Sequence, residues 1–108
     1  IAKVTGGYGP LEGSIGVLPL VDDTRTHAKD FVERFRKANP GRDPSSEVSL
    51  NYIAVHATAQ AMRLAGTTTD AHAIRAKMNE AYRSLPAKYN VHDIEGIDEK
   101  GGTIANTY

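Results

Sequence analysis

Apolar residues first recur at helical spacing between Ala28 and Ala38, where Ala28, Phe31, Val32, Phe35 and Ala38 are separated by 3, 1, 3 and 3 positions. That spacing lines one face of a helix. Thr24 or Thr26 can cap it, and Asn39-Pro40-Gly41 can stop it. Lys29, Arg34, Arg36 and Lys37 lie off the stripe, and Asp30 and Glu33 precede Arg34 and Lys37 by four positions, suited to ion pairs on a solvated face. A second helix starts at Pro44-Ser45-Ser46-Glu47, with a serine cap and an acidic first turn. From Val48 to Ala65 its residues leave little polar face, which predicts burial on more than one side. Its alanines favour helix, and Gly66 fits a left-handed end. Thr67-Thr68-Thr69-Asp70 offers a cap for a third helix running to about Ser84, with Ile74, Met78, Ala81, Tyr82 and Leu85 on one face. Pro86 ends it.

The remaining stretches have a different rhythm. Residues 1–13 hold four glycines and Pro10 and read as loop. Ser14–Leu20 predicts a short strand with Ile15 and Val17 on one face and Pro19 at an edge. Residues 91–108 predict a β pair and tail: Val91, Ile94 and Ile97, a corner at Lys100-Gly101-Gly102, then Thr103-Ile104. The order is therefore strand, three helices across residues 24–85, and a terminal hairpin. One strand and one hairpin cannot supply the sheet that a helix apolar nearly all round requires. The fold class is α/β with an incomplete sheet, and the chain reads as a piece of a larger layered structure.

Composition narrows the chemistry. The chain has 108 residues, enough for one small domain, and 13 basic side chains balance 13 acidic ones. That balance argues against a nucleic-acid footprint, which calls for a basic excess. With no cysteine, disulfides and thiolate sites are excluded. The chain opens on Ile1 without a basic or apolar leader, which points to an N-terminus made by processing, cloning or cleavage. His27, His56, His72 and His92 are scattered, with no pair three or four apart to face one metal. The serines lack a nucleophile elbow, and Gly6-Gly7-Tyr8-Gly9 is neither a phosphate loop nor a dinucleotide fingerprint. Asp93, Glu95, Asp98 and Glu99 lack the spacing of a calcium loop and read as a solvated hairpin. No acid, base, nucleophile and metal set converges, so the expectation is a non-enzyme without a cofactor.

Several segments carry a resemblance. Leu11-Glu12-Gly13-Ser14-Ile15-Gly16-Val17-Leu18-Pro19, the helix Ala28 to Gly41, Asn51-Tyr52-Ile53-Ala54-Val55 leading to Ala61 and Ala65-Gly66, Asp70 to Lys77, and Ile94 to Gly102 occur in the order found in type I periplasmic solute-binding proteins. The chain resembles the leucine/isoleucine/valine-binding family of ABC transporters over about residues 11–104. It departs from the pattern at Ile53, where an acidic residue is usual, and at Ile97, where an aromatic is usual. The resemblance implies two α/β lobes that close on a solute and present it to a membrane permease. It implies that this chain is a C-terminal fragment, mostly of one lobe, with residues 14–20 as the hinge-side strand. It further implies a periplasmic location, and as solute an amino acid or an aromatic carboxylate. Glu47, Asn51 and Tyr52, at the start of the central helix, are the expected ligand contacts. The same fold also serves ligand sensors that signal to a regulatory partner, which is the alternative role. An incomplete sheet predicts that the isolated fragment self-associates.

Overall fold

The computed structural model describes residues 2–7, 9–15, 21 and 24–105. A one-turn helix α1 (Ala2–Thr5) and a 3-10 turn at Gly9–Leu11 occupy the stretch expected to be loop. Of the strand expected over Ser14–Leu20, residues 16–20 lie outside the described ones; Ile15 is fully exposed.

Helix α2 (Thr26–Ala38) buries Ala28, Phe31 and Val32, with Phe35 half-buried; Ala38, expected on the stripe, is exposed. Arg25, not a threonine, takes its N-cap position, and no side chain caps the helix. The Asp30–Arg34 pair forms one turn apart at 2.9 Å. Helix α3 (Ser46–Ala65) follows the local signals at both ends. The Ser45 hydroxyl accepts from the Val48 N–H at 3.4 Å, and Gly66 closes the helix at φ +68.

The expectation that α3 is buried on more than one side is corrected. It buries Ser46, Ser49, Ile53, Ala57 and Ala61, spaced 3, 4, 4 and 4, and leaves Val48, Leu50 and Val55 exposed. Among the described residues, the elements that pack on α3 reach one side only. The third helix is also corrected: it divides at Lys77 into α4 (Ala71–Ala76) and α5 (Met78–Ser84). The Lys77 N–H bonds back to the Ile74 carbonyl at 3.0 Å, a tightened 3-10 closure. Asp70 caps α4 by accepting from the N–H groups of His72 and Ala73, each at 3.0 Å. Leu85 and Pro86 end α5, and a 3-10 turn (Ala87–Tyr89) follows.

Strands β1 (Ile94–Ile97) and β2 (Thr103–Ala105) form a two-stranded antiparallel sheet, with Ile97 opposite Thr103 and an irregularity between Ile94 and Gly96. Asp98 shapes their corner: its Oδ1 accepts from the N–H groups of Lys100 and Gly102, each at 2.8 Å, and Gly101 sits at φ +88. The acidic run is thus partly turn chemistry. Ala28, Phe31 and Val32 of α2, Ile53 and Ala57 of α3, Tyr82 of α5, Val91 and Ile94 make one core. Among the described residues the architecture is mixed helix with a small two-stranded sheet.

Candidate functional site

The three expected ligand contacts do not share a face. Glu47, Asn51 and Val55 recur every four residues on one side of α3, all exposed. The Glu47 carboxyl is held below the usual range, first by hydrogen bonding from Ser45, then by the backbone and Ser46. This is the electrostatics of a helix N-terminus. Asn51 Nδ2 donates to the Glu47 carbonyl at 2.9 Å, which braces the first two turns.

Tyr52 points elsewhere. Its ring centroid lies 5.0 Å from Phe31 and 4.6 Å from His56, the latter edge-on. His56 in turn stacks on Tyr89 at 4.1 Å, with the planes 17° apart. Arg34 Nη1 donates to the Tyr52 hydroxyl at 3.1 Å, and Nη2 donates to the Lys88 carbonyl at 3.3 Å. Lys88 Nζ stands 4.8 Å from the Tyr89 centroid, and Arg34 Cζ is 5.7 Å from that of Tyr52. Contacts therefore close a circuit, Arg34–Tyr52–His56–Tyr89–Lys88, joining α2, α3 and the turn at 87–89. Cation–π contacts of this kind contribute about 0.5–1 kcal/mol each at exposed sites. The Tyr52 hydroxyl, foremost, raises the Arg34 pKa. Burial lowers that of His56, and the charges of Arg34, Arg63 and Lys88 lower it further. Of this group sequence reasoning named only Tyr52 as a ligand contact; the four-residue step from Tyr52 to His56 was the one local signal that joins two of its members.

A second polar cluster lies where the N-terminal ends of α2 and α3 meet the loop before β1. Asp93, at φ +48, pairs with Arg25, and its other oxygen lies 3.3 Å from His27 Nε2. Beside it an open groove of about 450 Å³ is lined by Arg25, Tyr82, Asn90 and Asp93 among others. None of the expected ligand contacts lines it. Among the described residues no three His, Asp or Glu side chains converge as metal ligands. No helix there is long and apolar enough to cross a membrane.

No curated protein and no solved structure matches the chain. A family model described as periplasmic binding protein matches residues 2–96, from α1 into β1. That match spans most of the sequence and every α-helix described above, and the chain belongs to the periplasmic binding protein family.

Proposed function

We propose that this chain is the helical part of one lobe of an extracytoplasmic solute-binding protein serving an ABC importer. In this reading the complete protein captures an amino acid, with branched-chain amino acids as the first candidates, or a related small carboxylated solute. It closes two lobes around the solute and delivers it to the permease. Closure of this type works because the solute contacts both lobes only in the closed form. The observation that carries the reading is the family match over residues 2–96. Two features support it: a sheet of two strands among the described residues, and the apolar residues Val48 and Val55 exposed on one side of α3. Both are what a lobe separated from its remaining strands would present.

Within the chain, Glu47 and Asn51 are proposed as polar contacts from the exposed face of α3, with Tyr52 contributing through its ring edge. Thermal-shift screening of the parent protein against amino acids and small carboxylates tests the reading. One solute is expected to raise the melting temperature, since ligand at 100 times its dissociation constant adds about 2.7 kcal/mol. A flat response to the whole panel, or turnover of any member, overturns it. If uptake of the identified solute does not depend on the permease, the protein is a sensor instead.

A further inference from the structure

The densest surface feature beyond the proposed solute contacts is the aromatic and cationic circuit, which has only Tyr52 in common with them. Its rings are half-buried and pre-packed, while Arg34, Lys88 and Arg63 are exposed around them. Arg63 lies on the same stripe of α3, seven positions after His56, and its charge reaches His56. Asp30 neutralises Arg34 at 2.9 Å, but among the described residues no carboxylate pairs with Arg63 or Lys88. The chain as a whole has a formal net charge of zero, so this positive excess is local. Surfaces that dock proteins combine aromatic and arginine anchors with a polar rim, and charge complementarity selects the partner.

We propose that this face docks an acidic segment of a partner protein, whose carboxylates pair with Arg63 and Lys88 while its backbone crosses the Tyr52–His56–Tyr89 rings. A single small anion fits less well. His56 already packs against Tyr52 on one side and Tyr89 on the other, and Arg34 and Lys88 stand over different rings. Separated carboxylates on one chain match that spacing of charge. The inference does not rest on the solute-binding reading, because its charged anchors Arg63 and Lys88 are not among the proposed solute contacts; Tyr52 alone is common to both.

The test is a nuclear magnetic resonance titration of the isotope-labelled chain with a glutamate oligopeptide, using a lysine oligopeptide as control. Shifts are expected at residues 34, 52, 56, 63, 88 and 89. They should weaken as salt rises from about 0.01 M to about 0.15 M and the screening length falls from about 30 Å to about 8 Å. The His56 resonance should titrate at higher pH with the peptide bound, since added negative charge favours the imidazolium. Arg63→Glu with Lys88→Glu should weaken binding about tenfold or more through like-charge repulsion. Arg63→Gln with Lys88→Gln should fall between, with the spectrum of the free chain preserved. Absence of shifts, equal binding of the lysine peptide, or unchanged affinity in the reversed variant overturns the proposal. So does a shift of the same residues with chain concentration alone, which would assign the face to a second copy.

Discussion

Ser49 Oγ lies 2.6 Å from His92 Nε2, which ties the first turn of α3 to the loop leading into β1. The hydroxyl also donates to the Ser46 carbonyl at 2.8 Å, so its oxygen accepts the imidazole N–H. Arg25 holds the adjacent Asp93 from the start of α2, and His27 Nε2 lies 3.3 Å from the same carboxylate. One short loop therefore fastens the N-terminal ends of both core helices.

That fastening makes stability depend on pH. Burial lowers the His92 pKa, and burial followed by the nearby cations lowers that of His56. The unfolded chain takes up protons at these imidazoles near pH 6.5, where the folded chain still excludes them. The unfolded state then binds more protons, so stability is full above about pH 6.5 and declines as pH falls toward the folded values. Urea unfolding at pH 7.5 and at pH 5.5 should give a lower midpoint at the acidic pH, with the difference reduced in His92→Asn. A midpoint that rises on acidification contradicts this account.

The outer edge of β1 is closed by a side chain. Asn79 Oδ1 accepts from the Ile97 N–H at 2.7 Å, and a Cβ placed on Gly96 would sit 2.6 Å from that oxygen. Gly96→Ala should displace the amide and cost about 1 kcal/mol, the net contribution of one hydrogen bond. Asn79→Ala should cost a similar amount. In a double-mutant cycle the glycine change should cost much less once Asn79 is gone. Additive effects would show that the two positions act independently.

Asn90 performs a buried version of the same task. Its Oδ1 accepts from the Ile94 N–H and its Nδ2 donates to the Ile94 carbonyl, each at 2.9 Å. Asn90→Ala strands both backbone groups in a buried place, with about 1–3 kcal/mol expected for each group left unpaired. Asn90→Asp keeps the acceptor but sets a buried carboxylate oxygen against the Ile94 carbonyl, so at neutral pH it should cost more than Asn90→Ala. Denaturant midpoints of the two variants check the order.

These clamps explain what could be read from the sequence. The ends of α3 were legible because Ser45 and Gly66 act on their immediate neighbours. The break at Lys77 was not, since neither glycine nor proline marks it. The pattern of α3 predicted burial on several sides because periodicity records where apolar residues lie, not whether a partner covers them. Of the aromatic circuit, Tyr52 was legible, but Arg34 and Lys88 meet it from 18 and 36 positions away in the chain. Only tertiary packing brings them together.

The exposed side of α3 should also drive the isolated chain to associate. Val48 and Val55, seven positions apart on one side of α3, are 38% and 69% exposed, and the opposite face of the helix is core. Burying such side chains is favourable by about 25 cal/mol per Å². Light scattering should give a mass above that of a monomer, falling toward it in Val48→Lys with Val55→Lys. A monomer in the unaltered chain contradicts this expectation.

The claim on which the account stands is that this partial lobe belongs to a protein that holds a solute against α3. Calorimetric titration of the parent protein with the solute found by screening tests it most directly. The account predicts one solute bound per protein with a dissociation constant of about 1 µM or tighter. Asn51→Ala, exposed and outside the core, should weaken binding about fivefold, the effect of one lost hydrogen bond of about 1 kcal/mol. An isotherm that stays flat for every solute, or an Asn51→Ala variant that binds as tightly as the unaltered protein, would contradict it.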